Sequence, residues 1–76
     1  MIYIVLEIQS TGETASVIPW SFKDDYEGAM AKFHTILAAA AVSTVPIHSA
    51  VIIDDQGNVI KAAETFRHTV SADPAE

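Results

Sequence analysis

Residues 24–41, DDYEGAMAKFHTILAAAA, carry the clearest periodicity in the chain. Apolar residues recur there at the i, i+3, i+4, i+7 spacing that places them on one stripe of an α-helix. The stripe consists of Tyr26, Ala29, Met30, Phe33, Ile36, Leu37 and Ala40. Asp24 is expected to cap the helix, with Glu27 three residues later as in a capping box. The stretch therefore predicts one amphipathic helix that ends at about Ala41, before Pro46.

Four segments with strand composition flank this helix. Residues 1–9 (MIYIVLEIQ) and 14–20 (TASVIPW) precede it, and residues 47–54 (IHSAVIID) and 59–68 (VIKAAETFRH) follow it. A glycine-containing turn separates the members of each pair, as in β-hairpins. Pro19 predicts that the second strand lies at a sheet edge or ends there. The order ββαββ predicts an α+β fold in which one helix packs on a small, four-stranded, mainly antiparallel sheet.

The first strand has two different faces. Ile2, Ile4, Leu6 and Ile8 form a wholly aliphatic face, whereas Tyr3, Val5, Glu7 and Gln9 form a face that is apolar only in its first half. One helix covers one face of the sheet, and we expect the face with Tyr3 and Val5 to be the one left for another cover. A second copy of the chain is the simplest cover for it. A monomer whose exposed face is merely mixed is the alternative.

The size of the chain also favours self-association. The chain has 76 residues and no cysteine, and half of its residues are hydrophobic. A domain of this length buries only about 60% of its unfolded surface, and here no disulfide or Cys-based zinc site adds stability. We expect a single domain over residues 1–70 and a flexible acidic tail over residues 71–76, SADPAE.

The charge balance disfavours two classes of partner. Four basic residues stand against ten acidic ones, which gives a net charge of −6. Binding to a nucleic-acid polymer or to an anionic membrane needs a basic face. A small anionic ligand held by a few local cations stays compatible with the composition. No apolar run reaches the roughly 20 residues of a membrane span, and no basic leader precedes the first strand. We therefore expect a cytoplasmic protein.

No catalytic motif is present in the sequence. It contains no GxSxG, no Walker loop, no GxGxxG and no HExxH, so a non-enzymatic protein without a cofactor is predicted. The three histidines, His34, His48 and His68, match no compact zinc spacing. Histidines on helices and strands serve packing or hydrogen bonding more often than metal binding.

A few residues nevertheless have the chemistry to hold an anionic, aromatic ligand. Cations attract phosphates, hydroxyls and imidazoles orient a ligand, and an aromatic ring stacks on a base. The candidate ligand-binding residues are Lys32, His34, Ser43, Thr44, His48, Lys61, Arg67 and Trp20.

Each of these candidates also has a structural interpretation. Lys61 and Arg67 share a strand face by parity, which suits a phosphorylated ligand but also a charged edge strand. Lys32 and His34 lie about 200° apart on the helix, so only two copies of it could bring them together. Lys32 can equally be a solvated flank whose stem covers apolar surface. Trp20 can be a core or interface residue.

The stretch AAAAVSTVPIH at residues 38–48, the KFH step at residues 32–34 and the opening IYIVLEIQS are the most distinctive features of the sequence. Together with a final aromatic strand that ends in histidine, they resemble a group of short proteins encoded by phages and prophages. By analogy of class, small phage proteins of this kind include anti-defence sponges, which act as oligomers and hold cyclic nucleotides or ADP-ribose-derived immune signals.

The resemblance implies a non-enzymatic, homo-oligomeric anti-defence protein that sequesters such a signal in the host cytoplasm. The candidate residues named above would then form the ligand site. The alternative is an acidic protein–protein inhibitor of a host defence protein, since an acidic surface can mimic nucleic acid or steer towards a basic partner.

Overall fold

A computed structural model describes residues 1–68 and confirms the ββαββ order. The strands are β1 (Ile2–Ser10), β2 (Ala15–Lys23), β3 (Ile47–Asp54) and β4 (Val59–Arg67), and the helix α1 is Tyr26–Ala41. All three strand pairs are antiparallel, and the sheet order is β2-β1-β3-β4. The fold is therefore the expected α+β arrangement of two hairpins joined by one helix. The predicted acidic tail at residues 71–76 lies outside the described residues.

The edge position of β2 explains how it contains a proline. Among the strands of residues 1–68, β2 pairs only with β1, and Pro19 lies opposite Leu6 in the middle of that ladder. An edge strand has a row of N–H groups without a strand partner, so a residue that lacks an N–H is tolerated there. The edge position is thus confirmed, and β2 continues past Trp20 to Lys23.

The helix begins one residue later than the capping box predicts. Asp25 is the N-cap, and its Oδ1 accepts a hydrogen bond of 2.9 Å from the backbone N–H of Gly28. Asp24 instead has a φ of 52°, a left-handed conformation that aspartate tolerates, and its carboxylate binds the Met1 ammonium at 2.7 Å. The prediction of Asp24 as the cap was wrong because that residue makes the turn from β2 into the helix.

This cap makes a testable prediction. Replacing Asp25 by alanine should lower the free energy of unfolding by about 1 kcal/mol, because the Gly28 N–H loses its acceptor. Asp24→Asn is the matched control, because asparagine also tolerates the left-handed φ of 52°, and it should change the free energy of unfolding by less than about 0.5 kcal/mol, since an exposed ion pair contributes little. Urea titrations of both variants measure the difference, and a larger loss for the Asp24 variant would restore the capping-box prediction.

The second hairpin is organised by one buried carboxylate. Asp54 Oδ1 accepts hydrogen bonds from the backbone N–H groups of Gln56 and Asn58, and Oδ2 accepts one from the Asn58 amide. These bonds, the Asn58 side-chain bond above all, hold the pKa of Asp54 below its usual value. Gly57 takes the left-handed conformation, with a φ of 87°, that the turn needs.

The helix packs on the face of the sheet that carries Tyr3 and Val5. Val5, Ala50 and Ile52 of the sheet are buried in one cluster with Phe33 of the helix. The prediction that this face is the one left for another cover is therefore wrong. The two faces of the sheet differ in the side chains that the edge strands β2 and β4 place on them. Large side chains from β2 and β4 pack against the core on the helix side: Trp20, Phe22, Ile60 and Phe66.

The opposite surface of the sheet is left without cover within residues 1–68. We call it the open face, and its apolar members are Ile2, Ile4, Leu6, Ile8, Val17, Pro19, Ile47, Val51, Ile53 and Val59. Their assignment follows from the registers, because directly paired residues point to the same side of a sheet. Val17 is 53% exposed and Val59 is 63% exposed.

An irregularity in the β3–β4 ladder separates two cations that parity had placed together. Lys61 lies opposite Ile52, whereas Arg67 lies opposite Ile47, and the register shifts between Ala50 and Ile53. Ile47 and Ile52 are five residues apart and point to opposite faces. Lys61 therefore lies on the helix side and Arg67 on the open face, so the prediction that they share a face was wrong.

Candidate functional site

An open cavity lies on the sheet next to the end of the first hairpin. Its volume is about 390 Å³, and it is lined by residues 9–11, residues 14–16, Val45 and Pro46. The hairpin supplies one wall, and the segment between the helix and β3 supplies the other. None of the eight candidate ligand-binding residues named from the sequence lines this cavity.

The lining of the cavity is neutral. Two hydroxyls of the hairpin turn already accept hydrogen bonds from backbone N–H groups of the same turn. Thr11 Oγ1 accepts from the Thr14 N–H at 3.2 Å, and Ser10 Oγ accepts from the Gly12 N–H at 3.0 Å. Gln9 and Ser16 face each other across the β1–β2 ladder. With the apolar Val45 and Pro46 opposite, the cavity suits an uncharged group with hydrogen-bonding edges.

The Gln9 side chain is held in place by the partly buried Glu7, which is in turn paired with the buried His48. Its Nε2 donates to Glu7 Oε2 at 3.1 Å, and the same oxygen lies 2.6 Å from His48 Nε2. The His48 side chain is 5% exposed and that of Glu7 is 13% exposed. Buried polar groups of this kind are costly unless they are paired. The three residues therefore form one connected unit that fixes a carboxamide at the cavity.

His48 keeps one ring nitrogen without a protein partner. Nδ1 is buried and has no hydrogen bond within the part of the chain that the structure describes. A neutral imidazole that donates from Nε2 to the Glu7 carboxylate has an acceptor at Nδ1. His48, a candidate ligand residue in the sequence, thus does not line the cavity and is connected to it only through Glu7 and Gln9.

Trp20 and Lys32 are the two sequence candidates that the structure brings together. The Lys32 ammonium lies 4.0 Å from the centre of the Trp20 ring, which is cation–π geometry. Both side chains are half-buried, and Trp20 also packs against the core. The pair lies on the helix side of the sheet, four residues along β2 from Ser16.

The other cations lie elsewhere. The Lys61 ammonium is 5.9 Å from the Phe33 ring centre and 3.7 Å from a Glu64 carboxylate oxygen, on the opposite edge of the sheet from Trp20. Arg67 lies on the open face. The three candidate cations therefore do not converge within one chain.

The remaining candidates have local structural roles or are exposed. Ser43 Oγ accepts a hydrogen bond of 2.9 Å from the Val45 N–H, and Thr44 is exposed. His34 is exposed, with its ring edge against Phe33. His68, which was not a ligand candidate, lies with Nε2 2.7 Å from the carbonyl oxygen of Ala40 in the last helical turn.

Glu7 and Gln9 are not among the candidates named from the sequence, although the pattern of β1 marks them. Glu7 and Gln9 are polar residues on a central strand, on the same face as Val5. Two polar side chains in succession on a covered face predict a buried hydrogen-bonding unit. That pattern points to Glu7 and Gln9 as site residues only when this face is known to be the covered one, which the side chains of β2 and β4 decide.

Three comparisons with known proteins complete this description. The chain matches no protein-family model, no curated protein and no solved structure. Within residues 1–68, no three histidine, aspartate or glutamate side chains are grouped as metal ligands. No helix in the same range has the length and apolarity to cross a membrane.

Proposed function

We propose that the chain is a non-enzymatic binding protein that sequesters a small adenine-containing nucleotide. The observation that carries the proposal is the Gln9 carboxamide, fixed by Glu7 at the wall of the cavity. With one N–H engaged by Glu7, the carboxamide still offers a second N–H and its oxygen. A carboxamide of this kind pairs with the amino group and ring nitrogen at one edge of adenine.

The size and lining of the cavity support this ligand class. A volume of about 390 Å³ is at the small end of the range for ligand pockets, which suits a base with its sugar. Val45 and Pro46 offer apolar surface to a flat ring. Because no lining residue is charged, phosphates would extend out of the cavity.

Lys32 is the cation best placed to meet such a phosphate. Trp20, which Lys32 covers, is four residues along β2 from Ser16, or about 13 Å at the usual rise of a strand. Both residues point to the helix side of the sheet. A ligand with its base against Gln9 would therefore direct its phosphates along β2 towards Lys32.

The resemblance to short phage proteins suggests the biological source of the ligand. An anti-defence sponge would act in the host cytoplasm on a cyclic nucleotide or an ADP-ribose-derived signal. ADP-ribose derivatives contain adenine, which agrees with the carboxamide at the cavity. The proposed role is thus removal of an immune signal without chemical change to it.

Calorimetry with cyclic di-AMP and cyclic ADP-ribose isomers tests the proposal, with cyclic di-GMP as the base control. We expect an adenine ligand to bind and cyclic di-GMP to bind at least about tenfold more weakly. Gln9→Leu and Lys32→Ala should each weaken binding by about tenfold, whereas Lys23→Ala, on the open face, should not. Failure of the wild-type protein to bind any adenine ligand would refute the proposal.

The second candidate function is an acidic inhibitor of a host protein. Backbone contacts bring the end of β2, the start of the helix and the β3–β4 turn to the same end of the molecule. That end carries Asp24, Asp25, Glu27, Asp54 and Asp55. A basic partner would be steered there. Pull-downs from host lysate should then recover a stoichiometric partner that Asp24→Asn/Glu27→Gln/Asp55→Asn loses, and recovery of none would count against this function.

A further inference from the structure

The open face of the sheet is an aliphatic surface with a polar rim. Its centre consists of side chains from β1 and β3, among them Ile4, Leu6 and Val51. The registers place no acidic residue of the four strands on this face, although the chain has a net charge of −6. An apolar centre within a polar rim is the usual anatomy of a protein interface.

The area of the open face agrees with what a stable dimer needs. Four strands at the usual spacing, three of nine residues and one of eight, give a sheet of about 19 by 30 Å, or about 600 Å². Patches on monomers rarely exceed this size. Two such faces in contact bury about 1,200 Å² in total, which reaches the range of specific interfaces. Side chains that protrude from the sheet add to this area.

The charges on the rim favour a second copy as the occupant. Lys23 lies opposite Ile2 at one end of the edge strand β2, and Arg67 lies opposite Ile47 at the other end of the edge strand β4. The two cations thus occupy diagonally opposite corners of the open face.

A twofold axis parallel to the strands gives these corners complementary partners. It places β2 of one copy over β4 of the other and keeps the ends of the sheet aligned. Arg67 then meets the partner copy's β1–β2 turn, which carries Glu13, and Lys23 meets the β3–β4 turn, which carries Asp55. Both corners pair a cation with a carboxylate, and no two cations share a corner.

From this geometry we infer that two copies of the chain pack open face to open face about such an axis. The two sheets form a sandwich whose core is made by the aliphatic side chains, and the helices lie outside. The Gln9 side chain, on which the proposed ligand depends, points to the helix side, so this inference does not rest on the proposed ligand.

Sedimentation equilibrium of the wild-type protein and of two variants tests the interface. The wild-type protein should be a dimer, and Leu6→Glu should raise the dimer dissociation constant more than about 100-fold, because it buries a charge at the centre. Val17→Glu, at an exposed position of an edge strand, gives the same test where folding is not at risk. Val42→Glu is the control, since Val42 is 83% exposed and follows the helix. Far-UV circular dichroism checks the fold of each variant.

A charge reversal tests the orientation and the identity of the occupant. Arg67→Glu should weaken the dimer, as should Glu13→Arg, and the double variant should recover wild-type affinity. A wild-type monomer, a dimer that both Leu6→Glu and Val17→Glu leave intact, or a double variant no tighter than the single ones would overturn the inference. A monomer that captures a different protein through this face would overturn it as well.

Discussion

Phe33→Ala is expected to lower the free energy of unfolding by about 3–5 kcal/mol. Phe33 has no exposed surface and is the largest fully buried side chain in residues 1–68. It joins the helix to Val5, Ala50 and Ile52 of the sheet in one cluster. Its removal leaves a cavity that a helix with alanines at 29 and 40 has little side-chain volume to fill. In a domain whose whole stability is of the order of 5 kcal/mol, such a loss leaves a large unfolded fraction.

Urea titration followed by circular dichroism at one protein concentration measures this loss. Thr35→Ala is the matched control, because Thr35 is on the exposed side of the same helix and donates only to the Ala31 carbonyl. The control should differ from wild type by less than about 0.5 kcal/mol. A loss below about 1 kcal/mol for Phe33→Ala would show that the helix does not pack as described.

His48→Leu is expected to cost about 3 kcal/mol. The substitution removes the partner at 2.6 Å from the Glu7 carboxylate and leaves that group in a site where its side chain is 13% exposed. Breaking a buried pair from one side costs about 3–5 kcal/mol, and the low end applies because Gln9 still donates to Glu7.

A double-mutant cycle separates this cost from simple loss of packing. Glu7→Leu/His48→Leu removes both partners and should be within about 1 kcal/mol of wild type, because apolar residues of similar volume replace the pair. Gln9 loses the hydrogen bond that its Nε2 donates to Glu7, and its half-buried carboxamide can bind water instead. A double variant as unstable as His48→Leu would contradict the role of the His48–Glu7 hydrogen bond, since the loss would then come from shape alone.

The order and class of the elements could be predicted because the signals are local. The apolar stripe from Tyr26 to Ala40 specifies the helix, and β-branched runs between glycine turns specify the hairpins. Pro19 predicts an edge strand because proline lacks the backbone N–H that a central strand would donate. The cap shifted by a residue, from Asp24 to Asp25, because the strained turn residue and the cap are the same amino acid type, and β2 extends to Lys23 rather than ending at Trp20.

The face that the helix covers could not be predicted from β1 alone. Ile2, Ile4, Leu6 and Ile8 are more uniformly apolar than Tyr3, Val5, Glu7 and Gln9. Which face the helix covers depends on the side chains that β2, β3 and β4 place on each face. That placement depends on the strand registers, which the sequence does not give. Trp20, Phe22 and Phe66 point to the helix and decide the outcome.

The candidate site was less predictable because it depends on contacts between distant segments. Glu7 and His48 are 41 residues apart, and the β4 irregularity reverses the parity of Lys61 relative to Arg67. Trp20 and Lys32 do meet, as an aromatic beside a cation, but they lie away from the cavity. The types of the candidate residues therefore predicted which contacts they can make better than they predicted where these residues lie.

The account depends most on which sheet face the helix covers, and ring-to-methyl nuclear Overhauser effects measure this directly. Phe33 and Val5 belong to the same buried cluster, whereas Ile4 and Leu6 point to the open face. The Phe33 ring protons should show strong effects to the methyl groups of Val5 and Ile52 and none within the same chain to those of Ile4 and Leu6. Strong intrachain effects from Phe33 to Ile4 and Leu6 would contradict the account, because the helix would then cover the aliphatic face.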